Sequence, residues 1–230
     1  MMTEQNQDTV VVIAAHPDDE VLGCGGTIAR HAAKGDSVHI LFLADGVSSR
    51  QNTSEGASES RLEAACRAAS ILGAYPLSTL ALPDNRLDSI VLLEIVQGVE
   101  SFLAATKPTI IYTHHGGDLN VDHRIAHQAT ITAARPQPEY SVRAIYSFET
   151  PSSTEWATSA IGHSFVPNHF GDIGDYLSVK HEALVQYDAE MRAFPHARSF
   201  EAVEALQKWR GASVGLDAAE AFVCERVIIS

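Results

Sequence analysis

Apolar residues along the chain form short continuous runs that alternate with longer segments in which apolar positions recur every three to four residues. The continuous runs predict buried strands at residues 9–15, 37–44, 78–82, 109–113 and 142–148. The periodic segments between them predict helices at residues 20–34, 58–72, 87–106 and 121–134. This alternation predicts an α/β fold with a Rossmann-like, mostly parallel sheet and helices on both faces.

The alternation ends after residue 149. Residues 151–172 follow no regular pattern, residues 175–191 and 199–210 predict two helices, and residues 221–229 predict a final strand at the sheet edge. The chain has no internal repeat and no linker that would divide it. We therefore expect a single domain over residues 1–230 with an irregular C-terminal extension, and disorder at residues 1–8.

Polar residues concentrate where the first predicted strand ends. The run VVVIAA at residues 10–15 is followed directly by His16-Pro17-Asp18-Asp19-Glu20. Pro17 cannot donate to a strand ladder, so the strand should stop at His16. Open α/β sheets bind ligands beyond the carboxyl ends of their strands, and several carboxylates there are costly unless a cation offsets them. A metal ion is therefore the simplest occupant.

Two of these residues have the spacing of metal ligands. His16 and Asp19 are three residues apart where a strand leads into a helix, so both side chains can turn toward one point. The loop after the fourth predicted strand reaches the same crevice, and His123 is the natural ligand within it. Mixed nitrogen and oxygen ligands predict one zinc ion per chain, although other divalent ions also fit. Asp18 points elsewhere and is a candidate general base.

Other interpretations of the same segment are open. Asp18 or Glu20 could simply cap the following helix. Gly23-Cys24-Gly25-Gly26 followed by Asp45 resembles a dinucleotide fingerprint, but residues 16–22 separate it from the strand and carry acidic groups that would repel a pyrophosphate. We expect these glycines to allow close packing of the helix on the sheet. The alternatives to a metal-dependent enzyme are a nucleotide-binding oxidoreductase and a non-catalytic sugar-binding domain.

Longer motifs carry a family resemblance. AHPDDE followed by LGCGGTIA, together with DLNVDHR at residues 118–124, resembles the motifs of the PIG-L-like (LmbE-like) de-N-acetylases. Further similar segments cover nearly the whole chain: Ser60-Arg61-Leu62-Glu63, Leu82-Pro83-Asp84, Phe165-Val166-Pro167-Asn168, Lys180 and Glu220-Ala221-Phe222. The resemblance implies a zinc-dependent hydrolase that removes the acetyl group from a small N-acetylated sugar conjugate of the N-acetylglucosamine type.

The resemblance also implies roles for individual residues. The zinc ligands are His16, Asp19 and His123, and the catalytic set is Asp18, Asn120 and Asp122. The expected substrate contacts are Arg61, Asp84 and His115, with an ion pair inside its own helix as an equal alternative for Arg61. Some members carry His-Pro-Asp-His where this chain has Asn120-Val121-Asp122-His123. Asn120 can donate to an oxyanion but cannot give a proton, so Asp18 is expected to act as base and then acid, with His115 as second candidate acid.

Composition narrows the partners. The chain has 230 residues with 29 acidic and 16 basic side chains, a net charge of -13 that argues against binding to nucleic acid or anionic membranes. No apolar run approaches the roughly 20 residues needed to span a bilayer. The three cysteines form no CxxC pair, and the polar start has no signal-peptide core. We therefore expect a cytoplasmic protein. The sequence is also compatible with a homo-oligomer.

Overall fold

A seven-stranded sheet forms the centre of the structure, a computed structural model that describes residues 7–49, 56–138 and 142–229. Within these residues the strands are β1 Thr9–Ala14, β2 Ser37–Ala44, β3 Leu77–Leu82, β4 Ile110–His114, β5 Ala144–Phe148, β6 His169–Asp172 and β7 Ala219–Val227. Their spatial order is β3-β2-β1-β4-β5-β7-β6. Strands β1 to β5 are parallel to one another, and β7 runs antiparallel to both β5 and β6.

Helices cover both faces of the sheet, which confirms the predicted fold class. They are α1 Asp19–Ala33, α2 Ala57–Leu72, α3 Leu92–Thr106, α4 Val121–Ala133, α5 Leu177–Val185 and α6 Phe200–Ala212. Val10 and Val12 of β1 belong to a core with α1, α2 and α5, whereas Val11 and Ile13 belong to a second core with α3 and α4. A strand buried on both faces needs apolar residues at every position, which explains the continuous run. No helix of the described residues is long and apolar enough to cross a bilayer.

The strands that follow β1 in the chain are placed first on one side of it and then on the other. Strands β2 and β3 lie on one side of β1, and β4 and β5 lie on the other, with Val10 opposite Ile110. Strands β1 and β4 therefore form the topological switch point, and the loops after them open on one crevice. The three expected metal ligands lie in these loops or in the first turn of the helices that follow.

Helix α1 is interrupted and held by the C-terminal part of the chain. Cys24 has a non-helical φ of -147°, so the helix restarts after it. The carboxylate of Glu220 accepts hydrogen bonds from the backbone N–H groups of Gly26 at 2.9 Å and Thr27 at 2.7 Å, which follow the break in the helix. Lys180 Nζ lies 2.6 Å from Glu220 Oε1, and both side chains are buried. This buried ion pair joins α5 and β7 to α1.

The glycines of α1 serve close packing. A Cβ on Gly23 would lie 2.2 Å from the ring of Phe148, and a Cβ on Gly26 would lie 2.8 Å from the side chain of Ile173. Neither position leaves room for a larger residue, so α1 approaches its neighbours only because glycine stands there. The packing interpretation of these glycines is confirmed, and the resemblance to a dinucleotide fingerprint has a structural explanation.

The C-terminal part corrects the sequence prediction in three places. Strand β7 was expected at the sheet edge, but β6 pairs with its outer side, so that prediction is wrong. Strand β6 itself falls within residues 151–172, which were expected to be irregular. Its sequence HFGD has no apolar run, and it exists through pairing with β7. The helix predicted over residues 175–191 ends at Val185. Of the segment expected to be disordered, residues 1–6 lie outside the described residues.

Candidate metal centre

Three buried side chains meet in the crevice between β1 and β4. His16, Asp19 and His123 each offer one ligand atom, and these atoms all lie within 4.8 Å of one another. Oδ2 of Asp19 is 3.2 Å from Nδ1 of His16 and 3.3 Å from Nε2 of His123. The structure therefore brings together the three residues whose spacing predicted a metal site, although they come from opposite sides of the switch point.

The chemistry of this cluster fits a divalent cation. Oδ1 of Asp19 and Nε2 of His123 are buried and have no hydrogen-bond partner among the described residues. Buried polar atoms are rarely left unpaired, and one carboxylate with two imidazoles is a donor set that suits zinc. Burial alone would raise the pKa of Asp19, but the imidazoles of His123 and His114 hold it well below its usual range. Asp19 is thus an ionised carboxylate, the form that can ligate a metal.

His16 is oriented by carboxylates on its other side. Its Nε2 lies 3.0 Å from Asp122 Oδ2 and 3.1 Å from Asp84 Oδ1. Asp122 also accepts hydrogen bonds from the backbone N–H groups of Asn85 at 2.7 Å and Leu87 at 3.0 Å. A carboxylate behind a ligating histidine fixes the ring and its tautomer. The structure places Asp122, expected in the catalytic set, and Asp84, expected to contact substrate, in this supporting position.

His123 has a corresponding support that the sequence analysis did not single out. Its Nδ1 lies 3.1 Å from Asp118 Oδ1, and the carboxylate of Asp118 also accepts hydrogen bonds from the hydroxyls of Ser153 and Thr154. Burial would raise the pKa of Asp118, but these hydrogen bonds and the charge of His123 lower it to about 2. The ring of His114 stacks on that of His123 with centroids 3.9 Å apart. The DLNVDHR segment contained the signal for Asp118.

Asp18 is held apart from this cluster. Its φ of 119° lies in the left-handed region, a strained conformation for a residue with a side chain. Its backbone N–H donates to Glu20 Oε2 at 2.9 Å, and the hydroxyl of Tyr187 donates to Glu20 Oε1 at 2.6 Å. The Oδ2 atom of Asp18 contacts Arg198 Nη1 at 2.9 Å and Arg61 Nη2 at 3.1 Å. Contacts from distant segments thus fix both its backbone and its carboxylate.

The two arginines oppose the effect of burial on Asp18. Burial raises the pKa of Asp18, whereas the guanidinium groups of Arg198 and Arg61 lower it. Arg61 also forms a buried ion pair with Glu190. Both acidic partners of Arg61 among the described residues lie far from it in sequence, so the described contacts do not include the ion pair within its own helix that was the alternative prediction. Arg198, Glu190 and Tyr187 had no local sequence pattern that could have marked them.

The two remaining expected residues, Asn120 and His115, make different contacts. Asn120 caps α4, since its Oδ1 accepts from Asp122 N at 2.8 Å, while its Nδ2 is 3.4 Å from Asn85 Oδ1. His115 contacts the later part of the chain, with its Nε2 2.8 Å from the carbonyl of His163 and its ring edge against Phe165. Asn120 therefore contacts Asp122 and Asp118, the carboxylates that support His16 and His123, whereas the described contacts of His115 are with the later part of the chain.

Comparison with known proteins agrees with this geometry. The family model for PIG-L, GlcNAc-PI de-N-acetylase, matches residues 11–134, which include both loops of the cluster. The chain belongs to the PIG-L family. Within this family it is similar to the uncharacterized deacetylase YaiS of Escherichia coli K12, with 30% identity over 184 residues that cover 77% of this chain and 89% of YaiS. It is also similar to the diacetylchitobiose deacetylase of Thermococcus kodakarensis, with 28% identity over 79% of this chain and 69% of that protein.

The fold of this PIG-L family member also occurs in a protein with a different named activity. The crystal structure of GalB, the 4-carboxy-2-hydroxymuconate hydratase from Pseudomonas putida KT2440, superposes with a TM-score of 0.79 and covers 97% of this chain and 98% of GalB. Sequence identity to GalB is 21%, so this similarity concerns the fold alone. Function must therefore be argued from the residues in the crevice.

Proposed function

We propose that the protein is a zinc-dependent amidohydrolase that removes the acetyl group from an N-acetylated sugar conjugate of the N-acetylglucosamine type. The observation that carries the proposal is the buried cluster of His16, Asp19 and His123, with two unpaired ligand atoms, beside a carboxylate that is held off the cluster. Its relatives named as deacetylases, one of them acting on diacetylchitobiose, support the choice of an acetamido sugar over other amides.

Asp18 carries the proton transfers in this proposal. Zinc bound by the cluster would supply a Lewis acid for the acetyl carbonyl and make a water molecule more acidic. The carboxylate of Asp18 accepts the proton of that water and then returns it to the nitrogen of the leaving amine. Arg61 and Arg198 fix the orientation of this carboxylate through Oδ2, which leaves Oδ1 for the proton.

Asn120 is the residue of this chain that can donate to the developing oxyanion. Its Oδ1 is used to cap α4, but its Nδ2 makes only one long contact, at 3.4 Å, among the described residues. A side-chain amide aimed at a developing negative charge lowers the barrier without giving up a proton. Asp18 therefore serves in both proton transfers, and His115, whose contacts lie elsewhere, is the weaker candidate for the acid.

The test is release of acetate by zinc-loaded protein. We expect acetate from N-acetylglucosamine, N,N′-diacetylchitobiose or an N-acetylglucosaminyl-inositol. Asp18→Asn should keep the zinc, because Asp18 makes no contact with the ligand atoms, and should lose about 100- to 10,000-fold in kcat, since an amide cannot accept a proton. Asp88→Asn, at an exposed residue in the short helical turn Leu87–Ser89, is the matched control and should remain fully active.

Two outcomes would contradict the proposal. A protein that binds these sugars but releases no acetate with any divalent ion would be a sugar-binding domain. An Asp18→Asn enzyme close to the parent in kcat would place the general base at another residue.

A further inference from the structure

Trp156 is half exposed and lies in the short helical turn Thr154–Trp156, which follows Ser153. Its relative accessible surface is 50%, although it lies next to Ser153 and Thr154, which are buried. The hydroxyls of those two residues bind the carboxylate of Asp118, the support of His123. The short helical turn that carries Trp156 is thus tied to one side of the metal centre while its indole faces solvent.

A second segment ties the same indole to the other side of the centre. The ring of His196 meets that of Trp156 with centroids 5.6 Å apart and planes at 84°, so one ring presents its edge to the other. The Nδ1 atom of His196 accepts the backbone N–H of Arg198 at 3.0 Å, and the guanidinium of Arg198 contacts Asp18. Two independent chains of contacts therefore connect Trp156 to the support of a metal ligand and to the support of the candidate base.

The surroundings of Trp156 suit a carbohydrate. A cavity of about 200 Å³ lies beside the two segments and is lined by Glu155 and Ala197, the sequence neighbours of Trp156 and His196. The exposed carboxylate of Glu155 is held by the backbone N–H groups of Ser152 at 2.7 Å and Ser153 at 3.1 Å. Each carboxylate oxygen has further lone pairs, so Glu155 can also accept hydrogen bonds from sugar hydroxyls.

We propose that Trp156 and Glu155 form a saccharide subsite in which the indole packs on the C–H face of a pyranose ring and the carboxylate receives its hydroxyls. An exposed indole offers a flat apolar surface with a polar edge, which matches a ring with an apolar face and a polar rim. His196 and Arg198 lie between this subsite and Asp18. The ring on Trp156 is therefore the unit beside the one that loses its acetyl group.

This inference rests on the proposed function and makes its substrate class narrower. The preferred substrate has at least two rings, an N-acetylated sugar linked to a second saccharide, and carries no charge on the second ring. The net charge of the chain and the carboxylate of Glu155 both act against an acidic second unit.

A binding experiment tests the subsite without catalysis. Trp156 and Trp209 are the two tryptophans of the chain, and Trp209 is 68% exposed on α6. N,N′-Diacetylchitobiose is titrated into the Trp209→Phe and Trp156→Phe proteins prepared with a chelator. A saturable change in tryptophan fluorescence is expected for Trp209→Phe and no change for Trp156→Phe. Absence of a change in both proteins, or a change that only Trp209 reports, overturns the subsite.

Kinetics then separate the subsite from the proposed reaction. Trp156→Ala should raise KM for the disaccharide about tenfold, the size of one lost aromatic contact, and leave kcat/KM for N-acetylglucosamine unchanged. Trp156→Phe should recover most of the affinity. Equal loss for both substrates, or no loss for either, contradicts the subsite while leaving the hydrolase intact. A fluorescence response without any acetate release contradicts the hydrolase while leaving the subsite intact.

Discussion

Asp18 and Asp19 are adjacent in sequence, yet their environments differ in kind. The groups nearest to Asp19 are the imidazoles of His16, His114 and His123, which lie at or after the ends of β1 and β4. One oxygen of Asp19 has no hydrogen-bond partner among the described residues. Around Asp18 the nearest groups are guanidiniums from α2 and from the C-terminal part, Arg61 and Arg198. A neutral imidazole can ligate a metal, whereas a guanidinium stays charged and cannot.

This difference explains how two neighbouring carboxylates obtain separate functions. Imidazoles around Asp19 leave it free to share a cation with them. Cations around Asp18 already occupy its Oδ2 and repel a metal ion from that side. The left-handed backbone of Asp18 turns the two side chains in different directions. Substitutions around Asp19 and around Asp18 test this difference through metal content and kcat. We expect the effects to decrease from the metal ligands outward.

The largest effect is expected for a ligand. His123→Ala removes one of two imidazoles from the cluster, so the protein should lose its metal together with all measurable acetate release. Metal content after gel filtration measures this directly. His115→Ala is the matched control, because His115 is also buried but contacts His163 and Phe165, and it should keep about one ion per chain. Full metal occupancy in His123→Ala would reject the ligand set.

Much of the Asp19 side could be predicted from sequence, because its residues follow continuous apolar strands. The run at residues 10–15 located β1, the similar run before His114 located β4, and parallel strands bring their carboxyl ends to one edge. The parallel part of the fold follows from the same alternation. These inferences need only local patterns and one rule of topology.

The Asp18 side could not be predicted in the same way. Tyr187 and Arg198 contact Glu20 and Asp18 across 167 and 180 residues of sequence, respectively. Both belong to the C-terminal part of the chain, in which β7 is inserted between β5 and β6. That insertion was itself mispredicted, since the short strand β6 has no apolar pattern of its own. Long-range pairing decided these positions, and no local signal encodes it.

Asn120 tests the Asp19 side of the site, because its side-chain amide has two proposed roles. Its oxygen caps α4, and its nitrogen is the proposed oxyanion donor. Asn120→Ser keeps a capping oxygen but shortens the donor, so kcat should fall by about 100- to 1,000-fold while stability changes by less than about 1 kcal/mol. Thermal unfolding beside steady-state kinetics separates the two effects. Unchanged kcat in this variant would leave Asn120 with the cap alone.

Arg198 tests the environment of Asp18. Arg198→Ala removes a charge-assisted hydrogen bond to the Asp18 carboxylate, and a loss of about 1.5–3 kcal/mol in its orientation corresponds to about a 10- to 150-fold fall in kcat. The metal content should not change, because Arg198 contacts no ligand atom of the cluster. Arg198→Lys should recover part of the rate, since it keeps the charge but loses the planar fork. Loss of metal in Arg198→Ala would contradict the separation of the two environments.

The smallest effect is expected one step further from Asp18. Tyr187 touches neither the cluster nor the Asp18 carboxylate, and it acts through the Glu20 carboxylate that receives the strained Asp18 backbone N–H. Tyr187→Phe deletes one hydrogen bond of about 0.5–1.5 kcal/mol and keeps the packed ring, so kcat should fall by about two- to tenfold with KM and metal content unchanged. Tyr176→Phe, a half-buried tyrosine at the start of α5, is the control and should retain the parent rate. If Tyr187→Phe lowers thermal stability by the expected amount but leaves kcat unchanged, Glu20 stabilises the loop and does not orient the Asp18 carboxylate. The contrast between Asp18 and Asp19 would then depend on the arginines alone.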